Sequence, residues 1–274
     1  MSLDFELTDV HVLITGASGG IGVALVKTFL SLGCRVTAQY NSSGKSLHTL
    51  YDGLEPQKRE YLYSFQANVT SEADVAKLFA TAQSVHGIDV HALVVNHGIF
   101  PTTDVPLADM SLAQWRNTLS VNLDGTFLLC RDFLRQFRSA RPSVSSSPAI
   151  SITLIGSTAG KYGEANHADY AASKSAIQTG LLLSLKNEIV AIAPKGRVNA
   201  VNPGWVRTPM AEEIVKDEAR MKRALATTPL QKIATPEDVA RQVAVLVSPA
   251  LSGHVSGVGL QVDGGMEGRV GGWF

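Results

Sequence analysis

Short runs rich in aliphatic and β-branched residues alternate along the chain with longer stretches of helical period. Residues 10–14, 35–40, 61–66, 92–95, 150–155, 197–201 and 258–262 read as seven strands. Between them, residues 21–32 set Ile21, Leu25, Phe29 and Leu32 on one helical face. Residues 71–86 open with a Ser71-x-x-Asp74 capping pattern ahead of Val75, Leu78 and Phe79. Residues 235–247 form a further helical segment. Strand, helix, strand repeated in this way implies parallel pairing, because parallel neighbours need crossovers of a dozen or more residues. The expected fold class is therefore α/β: a doubly wound, seven-stranded parallel sheet flanked by helices on both faces.

Two segments depart from this rhythm. Residues 139–148 are polar, carry two prolines and separate a long helix from the fifth strand, so they read as a surface loop. Residues 208–228 are charged, helical in period and placed after the sixth strand, where an insert would cover a site. Neither marks a second compositional block, so the expectation is a single domain over 1–274.

At 274 residues, with 45% hydrophobic and 18% charged, the chain is long enough to close one sizeable core. Its 24 basic and 24 acidic residues cancel, which gives a polyanion no bulk attraction and argues against nucleic acid as a partner. Cys34 and Cys130 are too few and too distant in sequence for a disulfide framework or a thiolate zinc site. They read as packing residues of a reducing compartment. The seven histidines are dispersed without a His-x-x-x-His pair, so no metal is expected. Residues 1–9 lack a basic leader, and no apolar run approaches the ~18–20 residues that cross a bilayer. The expected address is the cytoplasm, away from membranes.

Candidate chemistry begins at Thr15-Gly16-Ala17-Ser18-Gly19-Gly20-Ile21-Gly22, directly between the first strand and the first helix. A phosphate approaches backbone only where side chains are absent, and the amides of a helix N-terminus supply donors. Gly16 would make the tight turn, Gly20 and Ile21 would present amides to a pyrophosphate beside Ser18, and Gly22 would let helix pack closely on strand. Glycines alone are weak evidence; their place between strand and helix is what makes this a dinucleotide site of Rossmann type.

Further along stand Asn96-His97-Gly98 after the fourth strand, Val121-Asn122, Ser157 after the fifth strand, and Tyr170-Ala-Ala-Ser-Lys174. Asn202-Pro203-Gly204 with Thr208 and Val262-Asp263-Gly264-Gly265 complete the set. With the Gly-x-x-x-Gly-x-Gly loop, this series resembles the short-chain dehydrogenase/reductase family from residue 15 to residue 265, including its 3-oxoacyl reductase-like and ketoreductase members. The resemblance implies Asn122, Ser157, Tyr170 and Lys174 as the catalytic set. It also places Pro203, Gly204, Val206 and Thr208 beside a nicotinamide. Asn68 and Val69 would sit at the adenine, and Asn96, Gly98, Tyr170 and Lys174 along the cofactor. Three positions depart from the family pattern: Asn68 replaces an Asp at the adenine, which it would still pair with as an amide, Val95 replaces an Asn that braces the central strands, and His97 falls where a small residue faces the cofactor, leaning on the adenosine ribose or altering access.

The end of the second strand decides which nicotinamide cofactor is expected. An acid there would bind the ribose hydroxyls and repel a 2′-phosphate. The chain instead reads Tyr40-Asn41-Ser42-Ser43-Gly44-Lys45, which favours NADP(H) over NAD(H), with Tyr40, Asn41 and Ser42 in contact.

Tyr170 and Lys174 are four apart, so a helix places both side chains on one face. A phenol titrates near ~10, too high for ready exchange at neutral pH, and a neighbouring ammonium favours the phenolate. Lys174 and the positive ring of an oxidised nicotinamide are therefore the expected sources that bring the Tyr170 phenol down. The implied activity is an NADP(H)-dependent carbonyl reductase or alcohol dehydrogenase (EC 1.1.1.-), exchanging hydride with a small-molecule ketone or secondary alcohol. Tyr170 would be its general acid/base. Alternatives on the same fold are a dinucleotide-binding sensor or scaffold without turnover, and a non-redox dehydratase or cyclase. His167, three residues before Tyr170, is a candidate pocket residue, and Trp205 and Met210 candidate walls. Lys216, Arg220, Lys222 and Arg223 form either a docking patch or a solvated face. Family analogy implies a homotetramer or homodimer.

Overall fold

The computed structural model describes residues 4–138, 149–211 and 217–266, apart from the side chains of Arg220 and Arg223. Seven strands form one sheet in the order β3-β2-β1-β4-β5-β6-β7, every neighbouring pair parallel. They are β1 His11–Ile14, β2 Arg35–Tyr40, β3 Leu62–Gln66, β4 Ala92–Val95, β5 Ser151–Ile155, β6 Arg197–Pro203 and β7 Gly259–Val262. This is the expected α/β Rossmann architecture. The strand order reverses between β1 and β4, so the loops leaving their carboxyl ends part there and open a crevice, the place where such sheets bind ligands.

The apolar runs of the strands are buried on both faces, as parallel sheets require. Along β1, Val12 and Ile14 enter one core cluster and Leu13 the other, following the two-residue period. One cluster joins the sheet to helices carrying Leu25, Phe29 and Val243; the other joins it to helices carrying Leu78, Phe133 and Leu185. Cys34 and Cys130 are buried and unpaired, their thiols pushed up to about 12 by desolvation, which makes them packing residues as expected.

Helix α1, Gly20–Ser31, buries Leu25 and Phe29 as its period implies. Val26 and Leu30 are buried as well, and Ile21 and Leu32 only partly, because α1 packs against both the sheet and the later helix Pro236–Val247. Helix Glu72–His86 takes its cap from Ser71, whose hydroxyl accepts from the Asp74 amide at 3.2 Å. The strand expected over 197–201 runs on to Pro203, because Asn202 and Pro203 still pair with Gln261 and Val262. In the expected insert, the described parts are a 3₁₀ turn Pro209–Ala211 and a helix Glu218–Ala226. The 139–148 loop and Lys216, with the Arg220 and Arg223 side chains, lie outside the described residues, and Lys222 is exposed. Among the described residues no helix is long and apolar enough to cross a membrane.

Candidate active site

The glycine loop crosses the carboxyl end of β1 with Gly16 at φ +59°, a left-handed conformation that favours glycine. A Cβ at Gly16 would meet the His97 Cα at 2.8 Å, and one at Gly22 would collide with the Gly16 carbonyl and Ala17 backbone. Gly20 faces the Thr208 methyl, where a Cβ would come within 2.8 Å. The bare backbone therefore forms a cradle closed on its outer side by Thr208 and Pro209. Gln39, fully buried on β2, holds the loop from below: its Oε1 accepts from the Gly16 amide at 2.9 Å and its Nε2 donates to the Ala67 carbonyl at 2.7 Å. Ser46 donates to the Ser18 carbonyl at 2.7 Å, tying the loop to the segment after β2.

At that segment Asn41, Ser42, Ser43 and Lys45 are exposed around the Tyr40 ring, which packs on Gly44. Asn68 is exposed after β3. Its Oδ1 accepts from the Thr70 amide and hydroxyl at 3.0 and 2.9 Å, which leaves the amide nitrogen directed outward. Val69 is buried against Gly125. These residues lie along the carboxyl edge of β2 and β3, the adenosine side of such a crevice.

Across the switch point, both hydrogens of the Asn96 side-chain amide go to the loop, to the Thr15 and Gly16 carbonyls at 3.0 Å each. Asn96 thus shapes the cradle. His97 corrects an expectation: it does not lean on a ribose or gate access. It is buried, its Nδ1 meeting the Thr15 hydroxyl at 2.9 Å and its Nε2 donating to the Val121 carbonyl at 3.0 Å. Since a carbonyl only accepts, Nε2 carries the proton and Nδ1 accepts from Thr15. Burial, with the nearby Lys174, pushes this imidazole down to about 4, so it is a neutral strut. Val95 is buried in the apolar core.

Asn122 sits in a π-helical turn, Ser120–Asp124, between helices Leu112–Leu119 and Gly125–Arg138. Such turns recur at functional sites. Its Oδ1 accepts from the Ile99 amide at 2.8 Å, and its Nδ2 donates to the Ile99 carbonyl at 3.1 Å and to Ser173 Oγ at 3.0 Å. Gly98 runs between Asn122 and Lys174: a Cβ there would lie 3.4 Å from both Asn122 Oδ1 and Lys174 Nζ.

Ser157, Tyr170 and Lys174 converge above the carboxyl end of β5. The Ser157 hydroxyl lies on the Tyr170 side of the turn, where it favours the ionised phenol, and accepts from the Ala159 amide at 3.1 Å. Lys174, on helix Ala168–Ser175, donates to the Ile155 carbonyl at 2.8 Å, its ammonium 5.8 Å from the Tyr170 ring centre. Burial pushes Lys174 down to about 8. The phenol goes the other way from expectation. Desolvation raises it above its ordinary value, the Ser157 hydrogen bond opposes this, and the Glu164 carboxylate adds to the rise. In the protein alone burial outweighs the groups that favour the phenolate, and the Lys174 ammonium is itself desolvated and donates to the Ile155 carbonyl.

Beyond β6, the Pro203 carbonyl accepts from the Thr158 amide at 2.9 Å, and Gly204 packs against Asp263. Val206 bridges in parallel to Ala234. The Trp205 carbonyl and Arg207 amide bond to Ala234, so the Val206 backbone groups face the opposite side, where its carbonyl meets the Thr208 hydroxyl at 3.5 Å. Trp205 is half-buried and Met210 exposed. His167 lies behind the cleft wall: it stacks on Phe100 at 4.2 Å, and the Phe100 ring stands edge-on to Tyr170 at 4.9 Å.

Four further residues at this site carry no motif. Gln39 supports the loop, Phe100 and Glu164 face the phenol, and Gln178 accepts from the Ser157 amide at 2.8 Å. Glu164 itself is raised by burial and by Asp104, with His167 opposing.

A family model described as Enoyl-(Acyl carrier protein) reductase matches residues 16–267. The chain is 32% identical over 256 residues to the 3-oxoacyl-(acyl-carrier-protein) reductase FabG of Aquifex aeolicus, covering 93% of this chain and 96% of that protein. It is 30% identical over 257 residues to the 3-oxoacyl-(acyl-carrier-protein) reductase MabA of Mycobacterium tuberculosis, covering 93% and 92%. A crystal structure from Brucella melitensis, described as a short-chain dehydrogenase/reductase, glucose/ribitol dehydrogenase, matches with a TM-score of 0.82 at 33% identity, over 96% of this chain and 98% of that one.

Proposed function

Because the chain belongs to the short-chain dehydrogenase/reductase family of oxidoreductases, we propose that it is an NADP(H)-dependent ketoreductase whose reacting centre is Ser157, Tyr170, Lys174 and Asn122. The observation that carries this reading is the convergence of Ser157, Tyr170 and Lys174 at the carboxyl end of β5, with the Lys174 ammonium on the Ile155 carbonyl and the glycine cradle across the crevice. The cradle suits a dinucleotide: bare backbone at Gly16, Gly20 and Gly22 opens at a helix N-terminus, and no acidic residue stands at 40–45 to repel a 2′-phosphate. Gly16, Ser18, Gly20 and Ile21 would hold the pyrophosphate, Tyr40, Asn41 and Ser42 the adenosine phosphate, and Asn68 and Val69 the adenine. Asn96 and Gly98 would border the riboses, with Pro203, Gly204, Val206 and Thr208 around the nicotinamide.

When bound, the reduced nicotinamide supplies the hydride. The Ser157 hydroxyl and Tyr170 phenol hold the substrate oxygen, and the phenol gives up its proton to it. A phenol held above its ordinary value is fully protonated at neutral pH, which suits an acid in the reducing direction. Lys174, near 8, is largely charged at pH 7 and replaces the proton. Asn122 fixes the Ile99 segment and, through Ser173, the Tyr170–Lys174 helix. The contribution of the chain is position and a preorganised oxygen site.

Among ketones, 3-oxoacyl thioesters are the class to test first, since the curated relatives named above are 3-oxoacyl reductases. We assign the chain as one catalytic unit over 1–274, cytoplasmic, and a homodimer or homotetramer. Exposed Phe127 and Leu183 on adjoining helices support the assembly. The test mixes protein with NADPH or NADH and a panel of 3-oxoacyl thioesters and simple ketones, following absorbance of the reduced nicotinamide. NADPH consumption is expected, and Tyr170→Phe is expected to lower turnover ~10³-fold while leaving NADPH affinity by calorimetry intact. Binding without consumption would favour a sensor. Product formed without consumption would favour a dehydratase or cyclase.

A further inference from the structure

Lys174 is followed by a second π-helical turn, Ala176–Leu181, before helix Leu182–Ile192. In a regular α-helix, residues four apart drift around the axis by ~40° per step, so the stripe of Tyr170 and Lys174 would turn away by residue 178. A π turn is wider and reduces that drift. Gln178 is 8% exposed, and its Oε1 accepts from the backbone amide of Ser157 at 2.8 Å. Room for the side chain exists because both neighbours are glycine: a Cβ at Gly156 would collide with Gln178 Oε1, and one at Gly160 would lie 2.8 Å from it. The residues on either side of Ser157 are tied to β6, the Gly156 amide to the Val201 carbonyl at 2.8 Å and the Thr158 amide to the Pro203 carbonyl at 2.9 Å. The Ser157 carbonyl accepts from the Gly160 amide and its hydroxyl from the Ala159 amide, so the Ser157 amide is the group that Gln178 holds.

We propose that Gln178 is a positioning residue of the reacting centre: through the Ser157 amide it sets the direction of the Ser157 hydroxyl toward Tyr170 and the substrate oxygen. This inference rests on the ketoreductase reading for its consequence in turnover, and on the geometry alone for its consequence in the Ser157 turn. Gln178 also forms part of the wall of a polar cavity of about 340 Å³ with Asn202, Thr179 and Gln261, so a side chain of altered shape there has space to settle.

Two variants separate positioning from bulk packing. Gln178→Leu keeps the volume and removes the acceptor; Gln178→Glu keeps an acceptor oxygen in either protonation state. Hydrogen exchange of the peptide containing Ser157, in protein without dinucleotide, is expected to speed up ~10-fold in Q178L, the equivalent of one lost buried hydrogen bond, and to slow again in Q178E. In the ketone assay kcat is expected to fall about tenfold in Q178L, with NADPH affinity unchanged, and to recover most of the loss in Q178E. Unchanged exchange at Ser157 in Q178L overturns the proposal. So do faster exchange with unaltered kcat, or equal losses in both variants. If the parent reduces no ketone, the ketoreductase reading falls, and the exchange comparison still decides whether Gln178 holds the Ser157 turn.

Discussion

The phenol of Tyr170 is surrounded by groups that oppose its ionisation: burial and the Glu164 carboxylate both raise it, with only the Ser157 hydroxyl opposing. In the oxidising direction the phenolate must accept a proton, so the rate is expected to climb with pH as the phenol ionises. Replacing Glu164 with Gln removes a negative charge and favours the phenolate. The rising limb of kcat/KM for alcohol oxidation is therefore expected to move to lower pH in Glu164→Gln, while the reducing direction at neutral pH changes little. A pH-rate profile in both directions checks this, and an upward shift would contradict the assigned sign. The grouping of Ser157, Tyr170, Lys174 and Asn122 is expected from the family resemblance of their motifs, with the Tyr170–Lys174 spacing adding a shared helix face, and the structure brings the four to one end of the sheet. Glu164, Phe100 and Gln178 were not legible in the sequence, since nothing in a local pattern says that a Gln on one helix will meet an amide 21 positions earlier. His97 was misread for the same reason: its partner Thr15 is 82 residues away, and only the folded switch point turns the imidazole inward.

At the scale of elements, end signals were readable and internal irregularities were not. Ser71 caps its helix as its pattern implies, and the helix expected over 235–247 starts at Thr235, which forms a reciprocal box with Asp238. Both π turns lie within unbroken helical periodicity, which carries no mark of one added residue per turn. What holds the Tyr170 helix in place is equally hidden. Asp169, fully buried in its first turn, accepts from the Tyr170 amide at 2.9 Å and from the Thr118 hydroxyl at 2.7 Å, joining that helix to Leu112–Leu119. Thr118→Val keeps the shape and leaves this carboxylate short of a donor. It is expected to destabilise the fold by about 1–3 kcal/mol in urea unfolding, and to lower kcat more than it raises KM, because the element that shifts carries Tyr170 and Lys174. A variant with parental stability would mean that the Thr118 bond does not anchor the helix.

For the molecule as a whole, hydrophobic period gave the strands and layers because both sheet faces are buried, whereas the charge state of the interior depends on which side chains the fold traps together. Four histidines are trapped with lowered values. His11 is pushed to about 4 by burial and by His86 and His91; its Nδ1 donates to the Ile88 carbonyl at 3.1 Å, so its Nε2 accepts from the Thr37 hydroxyl at 2.9 Å. His97 is pushed to about 4 by burial and Lys174, and desolvation lowers His86 and His91. The unfolded chain binds protons on these groups near pH 6.5 and the folded chain does not, so stability is full above that pH and falls as pH drops toward 4. At 1.36 kcal/mol per unit, His97 alone accounts for a loss of about 3 kcal/mol across that window, and His11 for a similar amount. Urea midpoints are accordingly expected to decline steeply between pH 6.5 and 4. His97→Asn retains an acceptor toward Thr15 but nothing that titrates. It is expected to start less stable at pH 7, having lost the Val121 bond, and to decline with a shallower slope than the parent. Parallel slopes for the two proteins would show that His97 charges without opening the fold, and would move the burden of acid sensitivity onto the His11, His86 and His91 group beneath the opposite end of the sheet.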